Sequence, residues 1–138
     1  MPVVDSRKVF INLPVTDLPR AKSFYEAVGF KNNPQFTDDT AACMVLSESI
    51  YVMLLVRGRF AGFAPRPVAD PLAVTGAIYA LDCASRDAVK ALCETAFAAG
   101  GRKYKEPEDH GFMFGWGFED PDGHTWEPFW MDPSHVQG

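Results

Sequence analysis

The chain has 138 residues, 47% of them apolar, and a formal net charge of −5 at pH 7. That length suits one domain with a real core, and the acidic balance argues against a phosphate-backbone partner. Three scattered cysteines (Cys43, Cys83 and Cys93) without CxxC spacing argue against a disulfide framework or a cysteine zinc site and read as buried small hydrophobes.

In chain order, "VFINLPV" (Val9–Val15) reads as a strand. Thr16 or Asp17 can cap the next helix, and Pro19 suits its first turn. Leu18, Ala21, Phe24, Tyr25 and Val28 recur at helical spacing, and Gly29 ends the run. "KNNPQFTDDT" reads as a polar connection. "AACMVLS" and "IYVMLLV" read as strands joined by a short turn at Glu48 and Ser49. The second of these is the longest apolar stretch and is too short to span a membrane. With no signal-peptide pattern at the start, a cytoplasmic protein with no membrane partner is expected.

Residues 57–74 hold Gly58, Gly62, Pro65, Pro67 and Pro71 and read as a linker or mobile loop. Phe60 and Phe63 within it could close over a ligand or pack on the body. Arg57, Arg59 and Arg66 could meet an anion or remain solvated. "AIYALDC" (residues 77–83) is then a strand, and Ser85 caps a helix with Asp87 in its first turn. Val89, Leu92, Cys93, Ala96 and Phe97 form its stripe, and Gly100 and Gly101 stop it. "RKYKEPE" reads as an edge strand, because Pro107 cannot donate to a ladder. "FMFGWGFE" reads as one strand, "DPDG" as a turn built by Asp120, Pro121, Asp122 and Gly123, and "HTWEPFWM" as the last strand.

The predicted helix caps lie about seventy residues apart, and strand-helix-strand order restarts after the linker, so an internal duplication is the simplest account. Each half alone would leave one face of its sheet uncovered. The expected fold class is α+β in a single domain over residues 1–138. Module one runs over about residues 7–57, the linker 58–74 and module two 75–132.

"LPVTDLPRAKSFYEAVGF" and "FEDPDGHTWE", in this order, resemble the vicinal oxygen chelate superfamily of glyoxalases, bleomycin-resistance proteins and extradiol dioxygenases. Among its subgroups the chain looks most like the lactoylglutathione lyase-related proteins. The resemblance implies two βαβββ modules whose curled mixed sheets enclose an open cup, with helices outside. In metal-using members, His, Glu or Gln on the first and last strand of each module hold a divalent ion that acts as a Lewis acid.

Carried across residue by residue, those positions fall at Phe10, near Met53 or Leu54, at Ala77 and at Glu127. Only Glu127 can ligate, whereas a catalytic zinc needs about three protein ligands. No cofactor is therefore expected, and a divalent metal would need non-standard ligands. His124 falls on the opposite strand face from Glu127 unless it belongs to the turn. His110, beside Glu108 and Asp109, and His135 read as turn or surface residues.

By alternation Thr125, Glu127 and Phe129 share one face, and Trp126, Pro128 and Trp130 the other. The resemblance then implies a cup lined by Phe10, Tyr79, Trp116 and Phe129, with Asn12 beside Phe10 as a hydrogen-bonding group. A carboxylate in such surroundings is desolvated, and Glu127 could act as acid or base, contact a ligand, or bond Asn12 or a backbone amide. The residues leave two functions open. One is a metal-free binder of an aromatic or cationic small molecule, homodimeric as in the bleomycin-resistance branch. The other is a glyoxalase-related lyase or isomerase, or a dioxygenase-like enzyme, working through Glu127.

Overall fold

A computed structural model describes residues 7–134, so His135 lies outside the described residues. Among the described residues the fold is α+β, with two open mixed sheets and three α-helices. The chain divides into two compact units, Met1–Val68 and Ala69–Gly138. Among the described residues no helix is long and apolar enough to cross a membrane.

In the first unit, β1 (Val9–Val15) runs parallel to β4 (Ile50–Val56). Strand β4 pairs antiparallel with β3 (Ala41–Val45), and β3 with β2 (Lys31–Asn33). Helix α1 (Leu18–Ala27) begins at Asp17, whose Oδ1 accepts from the Arg20 N–H at 3.0 Å. Pro19 sits in the first turn, where a missing N–H costs nothing. The chain leaves the helix through Gly29 at φ 103°. Leu18, Ala21, Phe24 and Tyr25 are buried where α1 packs on β2, β3 and β4.

Residues 31–40 are more ordered than a polar connection. Strand β2 is followed by a 3₁₀ turn at Pro34–Phe36. Hydrogen bonds rather than apolar periodicity hold them: Asn32 Nδ2 donates to Thr37 Oγ1 at 2.9 Å and to the Cys43 carbonyl at 3.2 Å. This short strand supplies the third strand after α1.

The predicted linker also contains structure. Helix α2 (Arg57–Phe63) follows β4 directly and packs on β1 and β4. Its two glycines disfavour a helix by about 1 kcal/mol each relative to alanine, and it has no side-chain cap. Tertiary contacts override that propensity. Arg57 Nη2 donates to the Val68 carbonyl at 3.2 Å, and Arg59 Nη1 to Thr40 Oγ1 at 2.8 Å with Asp38 Oδ2 at 3.4 Å. The helix ends at Ala64, which is extended (φ −84°, ψ 137°) because Pro65 disfavours helical geometry in the residue before it.

In the second unit, β5 (Ile78–Asp82) runs parallel to β9 (Thr125–Met131). Strand β9 pairs antiparallel with β7 (Met113–Gly115) and β8 (Phe118–Glu119), and β7 with β6 (Glu108–Asp109). Helix α3 (Arg86–Ala98) is capped by Ser85, whose Oγ accepts from the Ala88 N–H at 3.0 Å. It buries Val89, Cys93 and Ala96, and packs on β7, β8 and β9. With β7 and β8 taken as one broken strand, the order β5-β9-β7-β6 repeats β1-β4-β3-β2. This repetition is what an internal duplication leaves behind.

Two predicted strands form differently. "RKYKEPE" is not a continuous edge strand: it retains only an Arg102–Glu119 bridge, followed by the two-residue β6. "FMFGWGFE" is split into β7 and β8. Both pieces keep one register against β9, with Gly115 opposite Phe129 and Phe118 opposite Trp126, so no residue is inserted. The break falls at Pro128. Trp116 N–H donates to the Pro128 carbonyl at 3.1 Å, but Pro128 has no N–H to return. The β5 side keeps its pairing, with Leu81 opposite Pro128.

The "DPDG" turn forms as its residues dictate. Asp120 Oδ1 accepts from the backbone N–H of Asp122 at 2.9 Å and of His124 at 2.8 Å. Gly123 takes φ 98°. His124 therefore belongs to the turn, and it is buried at 8% exposure rather than on the surface. Cys43 and Cys93 are buried and Cys83 is half-buried, all as free thiols. Burial pushes the Cys93 thiol up to about 12.

Candidate functional site

Each unit carries a concavity on the sheet face its first helix does not cover. In the first unit, α1 covers the face of Leu13, Val15, Val52 and Leu54, all buried. Strand pairing puts Phe10 opposite Tyr51 and Asn12 opposite Met53 on the other face. The Phe10 ring stacks on Tyr51 with centroids 4.5 Å apart, and Phe10 remains 50% exposed. Helix α2 and the residues after it meet this face and enclose a cleft of about 780 Å3. Its lining joins Asn12 and Leu55 of the sheet to Phe60, Phe63, Pro65 and Arg66. That volume lies in the range of small-molecule pockets, and the lining is mostly apolar with few polar groups. Asn12 Nδ2 donates to the Phe10 carbonyl at 3.2 Å, which leaves its second N–H and its Oδ1 for another partner.

In the second unit, α3 covers the face of Trp126 and Pro128, and Glu127 and Phe129 lie on the opposite face. Tyr79 stands opposite Trp126, with ring centroids 5.0 Å apart. Trp116 bonds the Pro128 carbonyl, packs its ring 5.3 Å from Phe97 of α3, and donates Nε1–H to the Lys105 carbonyl at 2.8 Å. Tyr79 and Trp116 are therefore on the helix side of this sheet, not on the Glu127 face with Phe129. Strand register decides this, and register is not visible in residue types alone.

Glu127 is half-buried beside a cation rather than enclosed by Tyr79 and Trp116. Its side chain keeps 37% exposure, and its Oε2 accepts from Lys105 Nζ at 3.1 Å. Lys105 also lies 3.7 Å from Glu108, which lies 3.4 Å from His110 Nε2. These residues, with Met113 and Phe129, line a smaller cavity of about 280 Å3. Tyr104 packs over Gly117, where an added Cβ would fall 2.7 Å from Tyr104 Cζ and nearer still to its Oη. Burial first, and then the Glu127 charge, push the Tyr104 phenol up to about 12.

The ligand positions that the resemblance implies fall on both faces of the sheets. Met53 shares the Phe10 face, whereas Leu54 is buried on the other. Ala77 precedes β5; the β5 residues on the Glu127 face are Ile78 and Ala80, with Ala80 directly opposite Glu127. None of these side chains offers a nitrogen or oxygen donor. Among the described residues no group of three or more His, Cys, Asp or Glu side chains is placed to hold a metal ion. The side chains present do not fit the metal of the superfamily's usual set.

Residues 8–127 match the Glyoxalase/Bleomycin resistance protein/Dioxygenase superfamily, and the chain belongs to it. No curated protein matches significantly. Among solved structures, a hypothetical protein (SA1046) from S. aureus is 25% identical, with 93% of this chain and 95% of that one covered at a TM-score of 0.76. A glyoxalase-related enzyme from Fulvimarina pelagi is 20% identical, with 90% and 87% covered at 0.76. A glyoxalase/bleomycin resistance protein/dioxygenase family enzyme from Burkholderia phytofirmans PsJN is 16% identical, with 88% and 96% covered at 0.74. The family fold is one that supports small-molecule binding.

Lys105 is the site residue that sequence reasoning missed. It falls in the predicted edge strand, and nothing local ties it to a carboxylate 22 residues away. Phe60, Phe63 and Arg66 carried a signal in the aromatic and basic residues of a proline-rich segment.

Proposed function

We propose that the protein binds an aromatic small molecule in the first-unit cleft and does so without the superfamily's metal set. The observation that carries this reading is the cleft of about 780 Å3, walled by Leu55, Phe60, Phe63 and prolines, with Asn12 at its floor. Apolar burial would supply most of the affinity, and Asn12 would orient the ligand. The resemblance to the lactoylglutathione lyase-related subgroup is then one of ancestry, with binding retained. A cytoplasmic homodimer belongs to the same proposal, by analogy with the bleomycin-resistance branch. A cationic ligand at Glu127 fits less well, because it would have to displace Lys105 from 3.1 Å.

One observation favours an enzymatic alternative. Glu127 lines the 280 Å3 cavity with its Oε2 held 3.1 Å from the Lys105 ammonium, so a carboxylate and a cation stand together at one cavity wall. In this lyase or isomerase reading Glu127 is the base and Lys105 holds it in place.

Titration with the neutral fluorophore N-phenyl-naphthylamine tests the binding reading. One molecule per chain should bind with enhanced emission. Phe63 is 73% exposed, so Phe63→Ala leaves the core intact. Loss of its ring contact should weaken binding by about two- to tenfold. Absence of binding, or equal binding by the variant, would contradict the reading.

A further inference from the structure

We propose that the first-unit cleft selects an aromatic carboxylate, with Arg66 as its counter-ion and Asn12 as a second hydrogen-bond donor. This rests on the cleft being the ligand site and adds the charge of its ligand. Three arginines, Arg57, Arg59 and Arg66, fall in the segment that roofs the cleft. Two of them are committed to the fold: Arg57 to the Val68 carbonyl, and Arg59 to Thr40 and Asp38. Arg66 alone of the three lines the cleft. No carboxylate lies within ion-pair distance of it among the described residues.

The backbone at Arg66 is also restricted. Pro65 fixes its own φ, and Pro67 disfavours helical backbone at Arg66. The two prolines reduce the conformational freedom that binding would otherwise remove. A guanidinium offers a planar fork of donors that matches a carboxylate, and Asn12 keeps one amide N–H free of its bond to the Phe10 carbonyl. Among the described residues the cleft lining holds no acidic side chain to compete for the guanidinium or repel an anion. The apolar walls would take the ring, and the two polar residues the carboxylate. The Glu127 cavity has the opposite character, with two carboxylates around one lysine.

Competition against N-phenyl-naphthylamine with two isosteric probes, naphthoate and naphthamide, tests this. Naphthoate should bind the wild type more tightly than naphthamide. Arg66→Met should weaken naphthoate by about fivefold and leave naphthamide unchanged, since an exposed charge pair contributes modestly. Asn12→Asp, which places a like charge in the cleft at nearly constant volume, should weaken naphthoate more than naphthamide. Equal affinity for the two probes, or an Arg66→Met effect of the same size on both, would overturn the charge assignment and leave the cleft a neutral aromatic site. Displacement of the fluorophore by neither probe would also overturn it. If the fluorophore itself fails to bind, the cleft reading falls as well.

Discussion

Replacing Trp126 with alanine is expected to destabilise the protein by about 3–5 kcal/mol, the range for removing a fully buried aromatic side chain. Trp126 is 0% exposed, stands opposite Phe118 across the β8–β9 ladder, and packs its ring 5.0 Å from Tyr79. It lies on the side of β9 covered by α3, so its loss opens a cavity bounded by a helix and two strands. The loss is a large part of a typical stability of about 5–15 kcal/mol. Chemical denaturation gives the number: the midpoint should fall at unchanged slope. A loss under about 1 kcal/mol would mean that the site collapses without cost, contrary to the packing described.

Gly123→Ala is expected to cost about 2–5 kcal/mol, from two causes that add. At φ 98° an L side chain is strained, by about 1–2 kcal/mol. The added Cβ would also fall 2.8 Å from Leu72 Cδ2, 2.9 Å from Leu72 N and 2.9 Å from Pro71 C. Two of those atoms are backbone, which yields less readily than a side-chain end, and overpacking of this kind costs about 1–3 kcal/mol. Gly100→Ala is the control. It has a similar φ of 107°, but its nearest neighbour is Pro121 Cγ at 4.0 Å. Thermal unfolding of both variants should show the larger loss at Gly123. Equal losses would show that Pro71 and Leu72 do not crowd the turn.

Local chemistry made much of the fold legible. The Asp17 and Ser85 caps, the glycine exits of α1 and α3, and the "DPDG" turn each depend on residues a few positions apart. What was not legible depends on distant partners. Helix α2 forms against the preference of Gly58 and Gly62 because Arg57, Arg59 and the sheet hold it. Pro65 marked its end, but only an established helix makes that signal readable. The break between β7 and β8 follows from Pro128 on the partner strand. The candidate site divides the same way. Asn12 was legible by alternation from Phe10, and Glu127 by its motif. The helix-side placement of Tyr79 and Trp116, and the Lys105 partner of Glu127, follow from register and from a 22-residue separation.

The central claim is that the cleft beneath α2 holds the ligand and needs no divalent ion to do so. Amide-shift mapping of isotopically labelled, chelator-treated protein titrated with N-phenyl-naphthylamine tests it most directly. Saturable shifts should gather at Asn12, Leu55, Phe60, Phe63 and Arg66, the residues that line the cleft. Shifts gathered instead at Lys105, Met113 and Glu127, or shifts that emerge only after a divalent ion is restored, would contradict it.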